Sequence, residues 1–205
     1  MTTRTPTLRS RQQGVVLFIA LIVLVAMSLA GVALVRSVDT SLGIAGNMAF
    51  KQSTIQGSDL GIKEAYAWLA TNNTGTILQK TDKGNGYESN QPATAVEDWF
   101  DSAKWGAGTK AANGGLPDAA GNTVKYVIHR MCTQADTAYN GKSGAGVDNI
   151  CALITPTSGG SSGGSMSVGS VQFQGIPSLY YRITTRVDGP RNTVSIVQVS
   201  VLFKV

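Results

Sequence analysis

The sequence predicts an α+β fold in which one long N-terminal helix is laid against a C-terminal antiparallel β-sheet. Three observations carry the prediction. Val15 to Val35 is an unbroken apolar run without a charge, and its one polar side chain is Ser28. Apolar residues then recur at three-, four- and seven-residue spacing to about Ala70. Towards the C-terminus, stretches rich in β-branched and aromatic residues alternate with turn residues.

The apolar run comes first. At 1.5 Å per helical residue it reaches about 30 Å, the thickness of a bilayer's hydrocarbon core. Backbone amides in lipid must bond within their own segment, so the run is expected to be α-helical. Arg4, Arg9 and Arg11 precede it, which keeps that end cytoplasmic and sends the remainder outward. Beyond it, Val38, Leu42, Ala45, Ala49, Ile55, Ile62, Ala65 and Leu69 form one face of an amphipathic continuation. Gly43, Gly46, Gly57 and Gly61 each lower helix propensity by about 1 kcal/mol relative to Ala, so bending or loosening is expected there. Ala26 and Ala30 make a small-xxx-small pair, which suits close helix approach and equally fits ordinary variation in an apolar run.

Thr71 to Gly121 is rich in turn signals: Asn72 to Gly75, Asp82 to Gly86, Gly106 to Gly108 and Asn113 to Gly115. Within it, Ala93 to Trp105 has the pattern of a short helix, and Trp99, Phe100 and Trp105 are expected to pack on the sheet. Stacking of the two tryptophans on a carbohydrate is the sharper alternative. Val124 to Met131 is a strand running into Cys132. On it lies His129, the only histidine, expected to be half-exposed and structural. Ser158 to Gly164 is a low-complexity Gly/Ser loop. Val168 to Gln174, Leu179 to Val187 and Val194 to Phe203 are further strands. Asp188 to Asn192 is the turn between the last two, with Asp188 and Gly189 suited to positive φ. The alternation from Val194 to Val201 is imperfect, which suggests a strand buried on much of both faces.

Composition narrows the function. The chain has 205 residues and a formal charge of +5, and removing Arg4, Arg9 and Arg11 leaves +2. No Lys/Arg cluster interleaved with aromatics remains, so nucleic-acid binding is not expected. The length suits one membrane segment and one domain of ordinary size. Cys132 and Cys151 fall on the exported side, where an even count implies one disulfide, worth roughly 3 kcal/mol on chain-entropy grounds. Metal binding is the alternative, but two cysteines and a distant histidine are a poor ligand set. No HExxH, GxSxG, CxxC or Gly-Lys-Ser/Thr phosphate loop is present, so neither an enzyme nor a cofactor is expected.

Specific stretches now suggest a family. The run Arg11-Gln-Gln-Gly-Val-Val-Leu-Phe-Ile-Ala-Leu-Ile22, then Gly31-Val-Ala-Leu-Val-Arg-Ser37 and Ile44-Ala-Gly-Asn47, resembles the PilX family of type IV minor pilins. The closing stretches, Tyr181 to Val187 and Val194 to Val201, resemble that family's terminal hairpin. The likeness covers both ends and hardly touches the middle. It implies a type IV pilin-like fold, with a prepilin leader over 1–14, a transmembrane and assembly half-helix over 15–37, and a periplasmic head over 38–205. It also implies cleavage between Gly14 and Val15 by a prepilin peptidase, followed by N-methylation of Val15.

Most pilins carry Glu at the fifth mature position, where this chain has Ile19. In the family that carboxylate pairs with a neighbour's N-terminal amine. Its absence resembles the tip-located minor pseudopilin of type II secretion and points to a tip-proximal place. The implied partners are other minor pilins, the major pilin, the prepilin peptidase and the inner membrane. The implied locations are the inner membrane, as a single-pass protein with a cytoplasmic N-terminus, and the extracellular pilus. The expected role is to initiate pilus assembly and support adhesion or aggregation. Four alternatives stand beside it: a type II pseudopilin, a plain single-span anchor, a tip adhesin, and a signal peptide cut after Ser28-Leu-Ala30. The apolar run continues past that last site to Val35, further than a removed signal needs.

Overall fold

The computed structural model describes residues 14–92, 99–155 and 176–204. The basic residues Arg4, Arg9 and Arg11, the first part of the Ala93 to Trp105 segment, the stretch Ser158 to Gly164 expected as a loop and the stretch Val168 to Gln174 expected as a strand lie outside the described residues.

Helix α1 (Val15–Asn72) runs without interruption through Gly43, Gly46, Gly57 and Gly61. It crosses from one compact unit, residues 1–48, into another, residues 49–205. In the first unit, every helix residue from Val15 to Ala45 is exposed. Among the described residues, α1 is the one helix long and apolar enough to cross a membrane.

The second unit is a six-stranded sheet with the end of α1 on one face. Its strands are β1 (Tyr87–Glu88), β2 (Lys110–Ala111), β3 (Thr123–Arg130), β4 (Leu153–Ile154), β5 (Ser178–Gly189) and β6 (Thr193–Lys204). β5 is central. One edge pairs antiparallel with β6 along its whole length, from Ser178↔Lys204 to Gly189↔Thr193. The other pairs antiparallel with β3, from Thr123↔Asp188 to Arg130↔Tyr181, and then with β4. β3 carries β2 antiparallel and β1 parallel on its outer edge.

The sheet is therefore mixed, not wholly antiparallel. Two-residue strands have no periodicity to read, and the direction of β1 is set by the path of the loop that follows α1. The hairpin expected at the C-terminus is present, but its turn works differently. Gly189 has φ −103°, and the left-handed residues are Arg191 and Asn192. A side chain on Gly189 would collide with Thr54 and Asn122, so this glycine keeps α1 close to the turn.

The helix face against the sheet is Thr54, Ser58, Gly61, Ala65 and Leu69. Of the expected apolar stripe only Ala65 and Leu69 are buried; Ile55 is 48% exposed and Ile62 half-buried. The contact selects small residues because the backbones are close. A Cβ on Gly61 would lie 2.9 Å from Val124 Cγ1 and 3.1 Å from Thr185 Cγ2, and the Thr54 and Ser195 hydroxyls meet at 2.6 Å. Further along, aromatic rings fill the space: Trp68 lies 5.2 Å from Tyr87, and Tyr181 stands edge-on to Phe203 at 5.9 Å.

β6 is not buried on both faces. It pairs only with β5 among the described residues, and Gln198, Ser200, Leu202 and Lys204 face outward in alternation with Val199, Val201 and Phe203. The helix covers one side, and the alternation follows from that.

Cys132 and Cys151 are joined in a disulfide, with Cα atoms 4.0 Å apart. The bridge closes the 133–150 loop at the end of β3. Arg130, 1% exposed, pins the same loop from inside: its Nε donates to the Ser89 carbonyl at 2.8 Å and its Nη2 to the Thr137 carbonyl. Asp136 completes this cluster, accepting from Thr81 N at 2.7 Å and Ser89 Oγ at 3.2 Å. Those hydrogen bonds, Thr81 first, with the nearby Arg130 charge, hold its carboxyl below the usual carboxylate range.

Candidate functional site

The residues singled out in the sequence fall into two places. Gly14, Val15 and Ile19 occupy the start of α1. Gly14 precedes the helix with φ 127°, its carbonyl accepts the first helical hydrogen bond from Phe18 N at 3.3 Å, and Val15 is the first helical residue. Ile19 is one turn on and exposed, and the first carboxylate in the sequence is Asp39. The consequence is a helix start with neither acid nor base in its first turn.

The second place is the sheet face opposite α1. Alternation along β3 sends Val124, Tyr126 and Ile128 into the core, and Lys125, Val127 and His129 to this other side. The segment from Trp99 to Thr109 covers Val127 and His129 and leaves Lys125 exposed. Trp105 is buried, and its Nε1 donates to the Trp99 carbonyl at 2.7 Å. Lys125 Nζ donates to the Trp105 carbonyl at 3.3 Å, and Arg186 Nη1 to the Phe100 carbonyl at 2.9 Å. Trp99 is thus fixed with its ring 5.6 Å from Trp105 and edge-on to His129 at 5.7 Å. Trp105 packs as expected, Trp99 is half-buried, and Phe100 points out, 66% exposed. The described end of the expected Ala93 to Trp105 helix is a 3-10 turn, Ser102–Trp105, capped by the Asp101 carboxylate accepting from Ala103 N at 2.9 Å.

Between this cover and the sheet edge lies a cleft of ≈ 220 Å³. Glu88, Asn90, Gln91, Trp99, Lys104, Thr109 and His129 are among the residues that line it. β1 brings Glu88 into register with His129. The Glu88 carboxylate has Lys83 Nζ at 3.8 Å, a long contact that leaves most of its accepting capacity free. Gly108 has φ 91°, and a Cβ there would crowd Glu88 Oε1 at 3.1 Å, so glycine keeps the space beside the carboxylate open. The sequence flagged Trp99, Trp105 and His129. Glu88, Gln91, Lys104 and Thr109 were missed because they come from turn-rich stretches that only the folded sheet edge brings together.

His129 differs from expectation. It is 7% exposed, not half-exposed, because the Trp99 to Thr109 segment lies over it. Its Nδ1 is buried without a hydrogen-bond partner. Burial first, then the Arg182 charge across the strand pair, pushes its pKa down to about 4. The sign of the resulting pH effect is fixed: a histidine whose folded pKa is depressed stabilises the fold fully above its unfolded pKa, about 6.5. That stability is lost as pH falls from about 6.5 towards 4, amounting to roughly 3 kcal/mol. Urea melts of the full chain between pH 7 and 4 should show the fall, and a His129→Gln variant should flatten it.

Among the described residues no group of three or more His, Cys, Asp or Glu side chains converges to hold a metal ion. No family model matches the chain, and no curated protein or solved structure is similar to it.

Proposed function

We propose that this chain is a minor pilin of the PilX type, held in the inner membrane by its N-terminal helix and then incorporated at or near the tip of a type IV pilus. The observation that carries this reading is the junction at Gly14 and Val15. A single α-helix starts there, its first part apolar and exposed on every side, its last part bearing a sheet on a face of small residues. A segment with that much exposed apolar surface needs lipid or like helices around it.

The mechanism is physical. The apolar half-helix leaves lipid and enters a bundle of like helices, exchanging lipid contacts for side-chain packing. Prepilin peptidase exposes the Val15 amine, and the other minor pilins and the major pilin are the partners in assembly. With Ile19 in place of Glu, this subunit brings no carboxylate for a neighbour's amine, which fits a tip-proximal, initiating place. The same feature favours, as a second reading, the tip pseudopilin of a type II secretion system.

N-terminal sequencing and intact mass of the protein from membranes test the proposal. The expected mature form begins at N-methyl-Val15. A start at Met1 or Thr2 leaves a plain anchor, and a start at Gly31 a conventionally exported protein; either overturns the reading. Loss of piliation on deletion, with secretion intact, separates the pilus from the pseudopilus.

A further inference from the structure

We propose that the cleft between the Trp99 to Thr109 segment and the β1–β3 edge binds one pyranose ring of a saccharide. The inference does not depend on the pilin reading.

Size is the first argument. At ≈ 220 Å³ the cleft falls below the roughly 300–1,000 Å³ of sites for drug-sized ligands and suits a single sugar ring. The second is the wall. Trp99 is half-buried, and its backbone and that of its neighbours are tied down by Trp105 Nε1, Arg186 and Lys125. An aromatic face held in place loses little freedom when the C–H face of a sugar stacks on it, so more of the contact survives as affinity.

The third argument is the balance of donors and acceptors. Glu88 offers carboxylate oxygens, Gln91 an amide with both functions, and Lys104 an ammonium donor. His129, 7% exposed and neutral at pH 7, adds an uncharged ring to the same wall. Hydroxyl groups, which donate and accept at once, match such a set. A free anion does not, because Glu88 repels it. An ammonium ion has Trp99 and Glu88 in its favour but meets Lys104 at the same wall, with Arg182 across from His129. Gly108 keeps the approach to Glu88 open.

The test uses the full-length protein in a non-glycosidic detergent, since maltoside and glucoside detergents would compete. Methyl glycosides of glucose, galactose, mannose and N-acetylglucosamine are screened by saturation-transfer NMR, and the dissociation constant is taken from tryptophan fluorescence. At least one glycoside should bind, with affinity at least tenfold weaker in Trp99→Leu and in Glu88→Gln. Lys142→Ala, at an exposed position in the 133–150 loop, should bind as the native chain does. Glu88→Gln keeps the shape of the side chain and carries the test should Trp99→Leu fail to fold. Absence of binding by every glycoside overturns the proposal. So does unchanged affinity in Glu88→Gln, or binding of choline at the cleft in preference to the sugars.

Discussion

Replacing Gly61 with valine should destabilise the 49–205 unit by about 3 kcal/mol or more, enough to unfold much of it near physiological temperature. The first added carbon would already press on Val124 Cγ1 and Thr185 Cγ2, which belong to β3 and β5 and are themselves buried in a close-packed interior. Relief requires α1 to lift from the sheet, which would break the Thr54–Ser195 hydroxyl contact and open the packing of Ala65 and Leu69. Gly43 is the control. Nothing lies within 4 Å of a Cβ at that position, so Gly43→Ala should leave the unit's melting unchanged and raise local helix stability by about 1 kcal/mol. Urea denaturation followed by near-ultraviolet circular dichroism, which reports the packed aromatics, measures both. Equal effects of the two substitutions would show that the helix–sheet distance is not what Gly61 serves.

Arg130→Met should cost about 2–3 kcal/mol, the penalty of buried acceptors left without their donor. A buried charge can often be replaced by a hydrophobe of similar volume without loss, because the desolvation cost disappears with it. Here its guanidinium donates to the Ser89 and Thr137 carbonyls, which stay buried when the guanidinium is gone. The Thr137 carbonyl keeps one donor, Asn149 Nδ2 at 3.2 Å. Asp136, held by hydrogen bonds from Thr81 and Ser89, also loses the favourable field of a nearby positive charge. The damage should concentrate in the 81–92 and 133–150 loops, read as faster proteolysis there while the β5–β6 hairpin holds its amide protection. Arg130→Lys should rescue little, since one ammonium cannot present the fork that reaches both carbonyls.

The elements that could be read in advance are those whose physics is local. An uncharged run of bilayer length starting at Val15 can only be a helix, and its continuation to Asn72 follows from a period carried by many residues. β3, β5 and β6 are long and rich in β-branched side chains, so they declare themselves. β1, β2 and β4 have two residues each, too few to show any alternation. The mixed character of the sheet was hidden with them.

The contact face of α1 departs from the apolar stripe for a related reason. Hydrophobic periodicity finds a helix that stands off from its neighbour on large side chains. It misses one that lies close, where Thr54, Ser58 and Gly61 are selected by size and not by apolarity. The cleft was legible only in its tryptophans and histidine. Glu88, Gln91, Lys104 and Thr109 carry no mutual spacing in the chain.

The apolar helix starting at Val15 and the three long strands are written in the chain itself, because each follows from forces acting along a short stretch, and the cysteine pairing follows from an even count of two. Which glycines are contact points, that His129 is buried beside Trp99, and that Arg130 holds two loops from within emerge from the packing of distant segments. Those outcomes depend on the distance between surfaces that meet far apart in the chain, and no local pattern encodes that distance.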